Sequence, residues 1–150
     1  MSDLHQLEEW MAGLLGQLSP SQRKKLMQQW ARNLRKRNQK SIQQQQNPDG
    51  TGFEARKSQV RNKAGRVRRK MFTKLRAARY MKAKATASTA EVTFDGGGAQ
   101  RIARVHHYGL RDRVNKRGLI VKYPERKLLG INDADVAAIG DELISHLAGK

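Results

Sequence analysis

The sequence predicts an α+β fold, in which helices flank a small, mostly antiparallel sheet. Apolar residues recur at spacings of three and four in the N-terminal segments, which is typical of amphipathic helices. Apolar and polar residues alternate on both sides of Ser88 and again before Pro124, which indicates short strands. A further helical periodicity follows Asn132. These three observations place helices at both ends of the sequence and strands between them.

The N-terminal segment is predicted to form a helical hairpin. Ser19 precedes Pro20 and lies three residues before Gln22, which is the arrangement of a capping box at the start of a second helix. The first helix carries an apolar seam that needs a surface to bury against, and we expect it to contact a neighbouring subunit. The seam residues are Leu4, Leu7, Met11 and Leu14.

A boundary is predicted where the second helix ends. Residues 47–52, with the sequence Asn-Pro-Asp-Gly-Thr-Gly, combine turn formers and helix breakers. We therefore expect an N-terminal helical arm over 1–46 and an α+β core over 53–150, together forming one compact domain with appended helices. Apolar residues at helical spacing from Val60 to Ala78 predict a basic helix after the turn. Its basic face is expected to comprise Arg61, Arg68, Arg69 and Arg76.

The centre of the chain changes from helical to strand periodicity. Alternation over 82–94 on both sides of Ser88 predicts a β-hairpin. The segment 102–106 predicts a short helix that is closed by Gly109. Helix and strand therefore alternate through this part of the core.

The C-terminal third is predicted to contain one more hairpin and a closing helix. A second hairpin or edge strand follows the turn at 115–118 and stops at Pro124. Asn132 and Asp133 then cap an amphipathic helix, with acidic residues at its positive dipole end.

The net charge of +18 is concentrated in one segment. Residues 1–22 hold three acidic residues and no lysine or arginine. Residues 23–84 hold 21 basic and two acidic residues, a net charge of +19, whereas residues 85–150 hold ten basic and eight acidic residues. We therefore expect a polyanionic or electronegative partner for the central segment, and ordinary protein surface on its two flanks.

The composition excludes several classes of function. The chain contains no cysteine, so it has no disulfide, thiol nucleophile or thiolate metal ligand. No apolar run approaches the roughly 18 residues that span a bilayer. The acidic start of the sequence also differs from a signal peptide. We therefore expect a soluble chain that has no membrane partner.

No catalytic, cofactor or metal site is predicted. His106 and His107 are adjacent, and adjacent side chains point apart, so one ion cannot readily use both. We expect one of them to be packed and the other exposed. The triple glycine at 96–98 lacks the flanking pattern of a phosphate-binding loop. The acidic residues between 133 and 142 suit the start and the solvated face of a helix. The sequence therefore does not predict an enzyme.

The basic segment 23–84 leaves two interpretations open. Lysines and arginines on one continuous face would neutralise phosphates, so a non-specific nucleic-acid-binding protein is the alternative function. Phe72 and Tyr80 are the aromatic residues near the predicted basic helix, which is few for base stacking. The same face could instead be solvated or dock onto an acidic protein ring.

Two strings in the core resemble the phage virion morphogenesis family. They are RIARVHHYG at 101–109 and YPERKLLGINDAD at 123–135, and an amphipathic helix follows the second. The upstream NPDGTGFEARK and MFTKL fit the same layout, in which a Pro-Asp-Gly turn follows an N-terminal helical region. The resemblance covers nearly the whole chain and keeps the order of its motifs.

The resemblance implies a structural, non-enzymatic role in completing the phage tail. Such proteins are expected to be small and α+β, and to act at the head-proximal end, the neck of a contractile tail, where tail and head are joined. They are expected to form rings, with six subunits to match the tail. The implied partners are further copies of the chain, the tail terminator, the tail tube or sheath, and head–tail connector proteins, with phage DNA as a non-specific contact. The protein would reside in the virion after assembly in the host cytoplasm.

The resemblance also assigns expectations to individual residues. Glu125 stands where the family commonly has a small residue, so local packing there departs from the family pattern. Arg126, with Leu128, Leu129 and Gly130, would anchor the final helix to the sheet, and Arg126 is also a candidate subunit contact. The residues expected to shape the loop after the short helix and to contact another subunit are Arg104, His106, Tyr108 and Gly109.

Overall fold

The computed structural model describes residues 2–55, 70–113 and 116–148. Within them the α+β class is confirmed, and the strands form two separate antiparallel hairpins, β1–β2 and β3–β4. None of the described helices is long and apolar enough to cross a membrane. The elements in chain order are α1 (Ser2–Leu15), α2 (Pro20–Gln43), β1 (Met81–Ala85), β2 (Ala90–Phe94), α3 (Ala99–Tyr108), β3 (Arg111–Arg113), β4 (Ile120–Lys122) and α4 (Asp133–Ala148).

The predicted start of α2 is confirmed. Ser19 Oγ accepts a hydrogen bond from the Gln22 backbone at 3.2 Å, and Gln22 Oε1 accepts one from the Ser19 backbone at 2.9 Å. This reciprocal cap satisfies two backbone N–H groups and stabilises the helix by about 1 kcal/mol. The helix then runs for 24 residues, which is about 36 Å.

The predicted basic helix after the turn is wrong for its described part. Residues 70–80 form turns, and Phe72 has a φ of +64°, which an α-helix does not contain. The Gln45 side chain holds the Met71 backbone, since Oε1 accepts from Met71 N at 2.7 Å and Nε2 donates to Met71 O at 2.9 Å. A side-chain amide thus replaces the helical partners of Met71. The rest of that prediction, residues 56–69, lies outside the described residues.

Both predicted hairpins are present. In the first, Met81 lies opposite Phe94, and these two buried side chains attach the strands to the core. Its turn is closed by Thr86, whose Oγ1 accepts from Thr89 N at 3.0 Å. The second hairpin has three residue pairs, starting with Arg111 opposite Lys122. It is short, and the side chains at both of these positions are exposed.

The helix α3 ends at Gly109, as predicted. Gly109 adopts φ 65° and ψ 48°, the left-handed conformation that ends many helices. The chain returns directly across this helix end, so that a Cβ on Gly109 would lie 2.9 Å from Glu125 N and 3.1 Å from Tyr123 O. The close approach is completed by Arg126 N, which donates to His106 O at 2.9 Å.

The closing helix α4 has the predicted cap at Asn132. Asn132 Oδ1 accepts from Asp135 N at 2.8 Å, and Asp135 Oδ2 accepts from Asn132 N at 2.9 Å. The acidic residue therefore works as the second half of a capping box, and its carboxylate lies at the positive end of the helix.

Two apolar clusters form the core, and α2 contributes to both. Leu26 and Trp30 of α2 lie in the second cluster, whereas Ile42 lies in the first. The buried members of the first cluster are Ile42, Leu75, Met81, Phe94, Ala99, Ala103 and Leu128. Those of the second cluster are Leu18, Leu26, Met27, Trp30 and Leu143. The division into an arm and a core stays a prediction, although α2 packs within both clusters.

We expect Gly109→Ala to lower the free energy of unfolding by at least about 2 kcal/mol. The left-handed conformation costs a β-carbon roughly 1–2 kcal/mol, and the collision with backbone atoms near Glu125 adds to that cost. Gly97→Ala is the matched control, because Gly97 has a φ of +47° with open space around it. If urea unfolding showed the same loss of unfolding free energy for both variants, the close approach of Gly109 to the backbone near Glu125 would be contradicted.

Candidate functional site

The segment 126–132, which we call the strap, crosses from the end of α3 to the start of α4. Arg126 is 5% exposed, and its guanidinium donates to Glu54 O at 2.8 Å and Ala55 O at 3.3 Å. Its side chain therefore holds the segment that follows the 47–52 turn. The exposed neighbour Glu125 forms a 3.7 Å ion pair with Lys127.

The strap is also tied to α2 and to the turn. Gly130 N donates to the buried Asn38 Oδ1 at 2.9 Å, while Asn38 Nδ2 donates to Leu34 O at 2.8 Å. A Cβ on Gly130 would lie 2.7 Å from Pro48 Cγ, so a glycine is required for this contact. Leu128 is fully buried in the first cluster, and Leu129 packs against it. The strap residues thus connect α2, the turn and the first cluster.

The 47–52 turn is organised by its own polar side chains. Asn47 Oδ1 accepts from Lys127 N of the strap at 2.8 Å. The Asp49 carboxylate accepts from Thr51 N and Thr51 Oγ1, and these hydrogen bonds lower the pKa of Asp49. Asn132 Nδ2 donates to Pro48 O at 2.7 Å. The turn is therefore a docking point for the strap.

The residues from the family-like segment of α3 divide into exposed and packed positions. Arg104 is exposed, and Tyr108 is 63% exposed. The His106 ring lies between Phe72 and Tyr123, with centroid distances of 4.9 and 4.4 Å. Arg104 and Tyr108 are thus available to a partner, whereas His106 stabilises the fold around the helix end.

The two adjacent histidines do not divide into a packed one and an exposed one, because both are partly buried. His107 Nδ1 accepts a hydrogen bond from Leu128 N at 3.2 Å, which requires that nitrogen to be unprotonated. Burial lowers the pKa of His107, and the charge of Lys127 lowers it further. Among the described residues, no three or more acidic or histidine side chains are grouped as metal ligands.

The N-terminal seam is partly covered by the subunit itself. Met11 and Leu14 are partly buried and pack against the second cluster. The side chains of Leu4 and Leu7 lie outside the described residues. The described half of the seam therefore already has apolar neighbours within the chain.

The predicted basic face lies mostly outside the described residues. Arg61, Arg68 and Arg69 lie outside the described residues, and Arg76 lies partly buried in a turn. On α2, however, Lys25, Arg32 and Lys36 are all exposed. Their spacing of seven and four residues places them on one face of the helix. We call these three residues the α2 basic stripe.

Arg37 forms an ion-pair cluster that the sequence did not predict. Its Nε lies 3.3 Å from Asp135 Oδ1, and its Nη2 lies 3.6 Å from Glu142 Oε1. Asn33 Nδ2 also donates to Glu142 Oε1 at 3.0 Å. Because Asp135 is 3% exposed, this cluster fixes α4 on α2. Sequence spacing gives no signal for a contact between residues about a hundred positions apart.

A group of arginines lines open grooves between α3 and β3, and we call it the arginine groove. Arg101 pairs with Asp112, and this hydrogen bond lowers the pKa of Asp112. The larger groove measures about 540 Å³ and includes Ile120. Residues 99–123 hold seven basic residues and one acidic residue, which the near-neutral average over 85–150 concealed. The four arginines are Arg101, Arg104, Arg111 and Arg113.

Comparison with known proteins identifies relatives along the whole chain. The pattern of the phage virion morphogenesis family matches residues 2–148. The "Tail completion protein S" of Escherichia phage P2 is 39% identical over 148 residues, which are 98% of this chain and 99% of that protein. No solved structure matches the chain.

We expect the stability to fall when the pH drops below about 6.5, partly because of His107. Its pKa in the folded protein lies below the ordinary value of 6.5, so the unfolded chain takes up a proton first. The contribution has an upper limit of about 1.4 kcal/mol per pH unit. His107→Asn keeps an acceptor near Leu128 N but does not titrate, and should flatten the dependence of Tm on pH between 7.5 and 5.5.

The control is His5→Asn, which removes an exposed histidine of α1 and leaves the contact with Leu128 intact. An unchanged slope in the His107 variant would show that this histidine does not link protonation to unfolding.

Proposed function

The chain belongs to the phage virion morphogenesis family, and we propose that it is a structural protein that completes the phage tail. The observation that carries this proposal is the 39% identity to the tail completion protein S of phage P2, over nearly the full length of both chains. The match spans both described clusters, so it covers the whole of the described α+β structure.

We further propose that the protein acts as a ring at the head-proximal end of a contractile tail, and helps to join the tail to the head. A ring of six subunits would match the tail. The neighbours would be the tail terminator, the tail tube or sheath, and the head–tail connector. Exposed side chains on several elements support this, since Arg104, Tyr108 and the α2 basic stripe face solvent in the single subunit. The protein would assemble in the host cytoplasm and remain in the virion.

The proposed function includes no catalytic step. Several of the described acidic residues are engaged in structural contacts, as Asp135 and Glu142 are with Arg37. Asp112 is similarly paired with Arg101. These pairings favour a scaffold over a hydrolytic site, because general acid–base work needs a carboxyl group that is free to exchange a proton.

A second candidate function is non-specific binding of the DNA that passes through the tail. The α2 basic stripe favours it, because Lys25, Arg32 and Lys36 are exposed on one helix face. Among the described residues, none of the three has a carboxylate within ion-pair distance. Cations in this arrangement can each neutralise one phosphate. The stripe is the part of the basic segment 23–84 that lies on one exposed helix face.

We expect phage assembled without this protein to accumulate tails that do not join to heads. Adding the purified protein should restore joining, and electron microscopy should show a ring of several copies at the head-proximal tail end. An unrelated protein of similar size and net charge is the control for non-specific effects of basic charge. Normal joining of tails and heads without the protein would contradict the proposal.

We expect the logarithm of any DNA affinity to fall with the logarithm of salt concentration with a slope of several units. Replacing Lys25, Arg32 and Lys36 together by Gln should reduce that slope by about 3, at roughly 0.9 per phosphate contact. The matched control replaces Gln28, Gln29 and Gln43 of the same helix by Ala. An unchanged slope in the charge variant would exclude the stripe as the DNA-binding surface.

A further inference from the structure

The subunit has two unlike surfaces that lie on different parts of the fold. The arginine groove is built on α3 and β3, and α3 packs into the first cluster through Ala99 and Ala103. The helices α1 and α4 pack into the second cluster. Along α2 the two clusters are centred on Leu26 and Ile42, which are about 24 Å apart. The two surfaces therefore lie on elements that pack against different clusters.

The surface on α1 and α4 is acidic. These two helices together carry seven acidic residues and no lysine or arginine. Asp135 and Glu142 are used internally by Arg37, whereas Glu9 and Asp141 are exposed. Glu9 Oε1 lies 3.2 Å from His5 Nε2 on the same helix, and neither Glu9 nor Asp141 is used by the Arg37 cluster.

Exposed apolar side chains accompany these carboxylates. Trp10 is 42% exposed and follows Glu9, and its ring would lie 3.9 Å from a Cβ on Gly140. Asp141 follows Gly140, and Ile144, which is 53% exposed, lies one turn further along α4. We call Glu9, Trp10, Asp141 and Ile144 the acidic ridge.

The arginine groove has the complementary chemistry. Asp112 neutralises Arg101, while Arg104, Arg111 and Arg113 have no carboxylate within ion-pair distance among the described residues. Ile120, which is 61% exposed, lies among the arginines and gives the groove an apolar part. A partner that brings both carboxylates and apolar side chains fits this groove better than a phosphate backbone, which would leave Ile120 uncovered.

We propose that the acidic ridge of one subunit docks into the arginine groove of a second copy of this chain. The contact is head-to-tail, since the two faces belong to different parts of the subunit, and a head-to-tail contact that closes on itself generates a ring. This inference rests on the proposed ring. It adds the two surfaces that meet, and it assigns the arginines to subunit pairing instead of DNA.

The experiment uses two charge-reversed full-length variants, Glu9→Lys with Asp141→Lys and Arg111→Glu with Arg113→Glu. Each has one reversed surface, so each should associate about 10- to 30-fold more weakly than the wild type in light scattering behind size-exclusion chromatography. An equimolar mixture of the two should regain the wild-type mass when the ring has an even number of subunits. In an alternating ring, the reversed ridge of one variant meets the reversed groove of the other, and the two unchanged surfaces meet each other, so every contact again joins opposite charges.

Matched controls reverse exposed charges outside the ridge, the groove and the α2 basic stripe, Glu54→Lys with Glu91→Lys, and Lys70→Glu with Lys74→Glu. Circular dichroism establishes that every variant is folded, and these controls should keep the wild-type mass. A wild-type oligomer that survives both ridge and groove reversals would overturn this inference and leave the proposed ring intact. A wild-type chain that is monomeric in solution and absent from purified tails would contradict the ring and this contact together.

The groove variant also decides between a protein and a nucleic-acid partner. The pair Arg111→Glu and Arg113→Glu should lose self-association, while its retention of duplex DNA on a filter stays within about twofold of the Lys70→Glu with Lys74→Glu control, which has the same net charge. Loss of DNA retention with an unchanged oligomer would identify the groove as a nucleic-acid surface and overturn the inference.

Discussion

Leu26 and Ile42 lie sixteen positions apart on α2, and each is completely buried in a different apolar cluster. The rest of the structure depends on this division of one helix between two cores. Each cluster is small for a stable domain. Because the fraction of surface buried on folding rises with domain size, neither cluster alone buries enough apolar surface to tolerate much loss. The shared helix couples them, because displacing α2 from one cluster also disturbs the register of its side chains in the other.

Polar contacts reinforce this coupling on the part of α2 that lies between the two clusters. Arg37 joins α2 to α4 through two carboxylates, and Asn38 joins α2 to the strap through the backbone of Gly130. These neighbouring residues point in different directions from the helix, so one turn of α2 fixes two separate segments. Removing one partner at either place would leave a buried polar or charged group unpaired, which lowers the free energy of unfolding by more than the loss of a surface contact does. These sites are therefore sensitive to substitution.

Local chemistry was enough to predict most of the elements. The Ser19 cap, the Ser88 turn, Gly109 and the Asn132 cap are each determined by residues within a few positions, and all are present. The helix predicted after the turn fails at Phe72, because the Gln45 side chain competes for the Met71 backbone from 26 positions away. The arginine groove was missed for a related reason. Charge averaged over a long segment hides basic residues that folding brings together.

The anchoring of the chain on both sides of residues 56–69 has a consequence for how the sequence can vary. Ala55 is held through its carbonyl by Arg126, and Met71 is held by Gln45, so the fold itself fixes both ends of the interval. Each end is held by one side chain and not by regular secondary structure, so a substitution of Arg126 or Gln45 would release the chain at that end. These two positions should therefore tolerate fewer substitutions than their exposed neighbours Lys127 and Gln44.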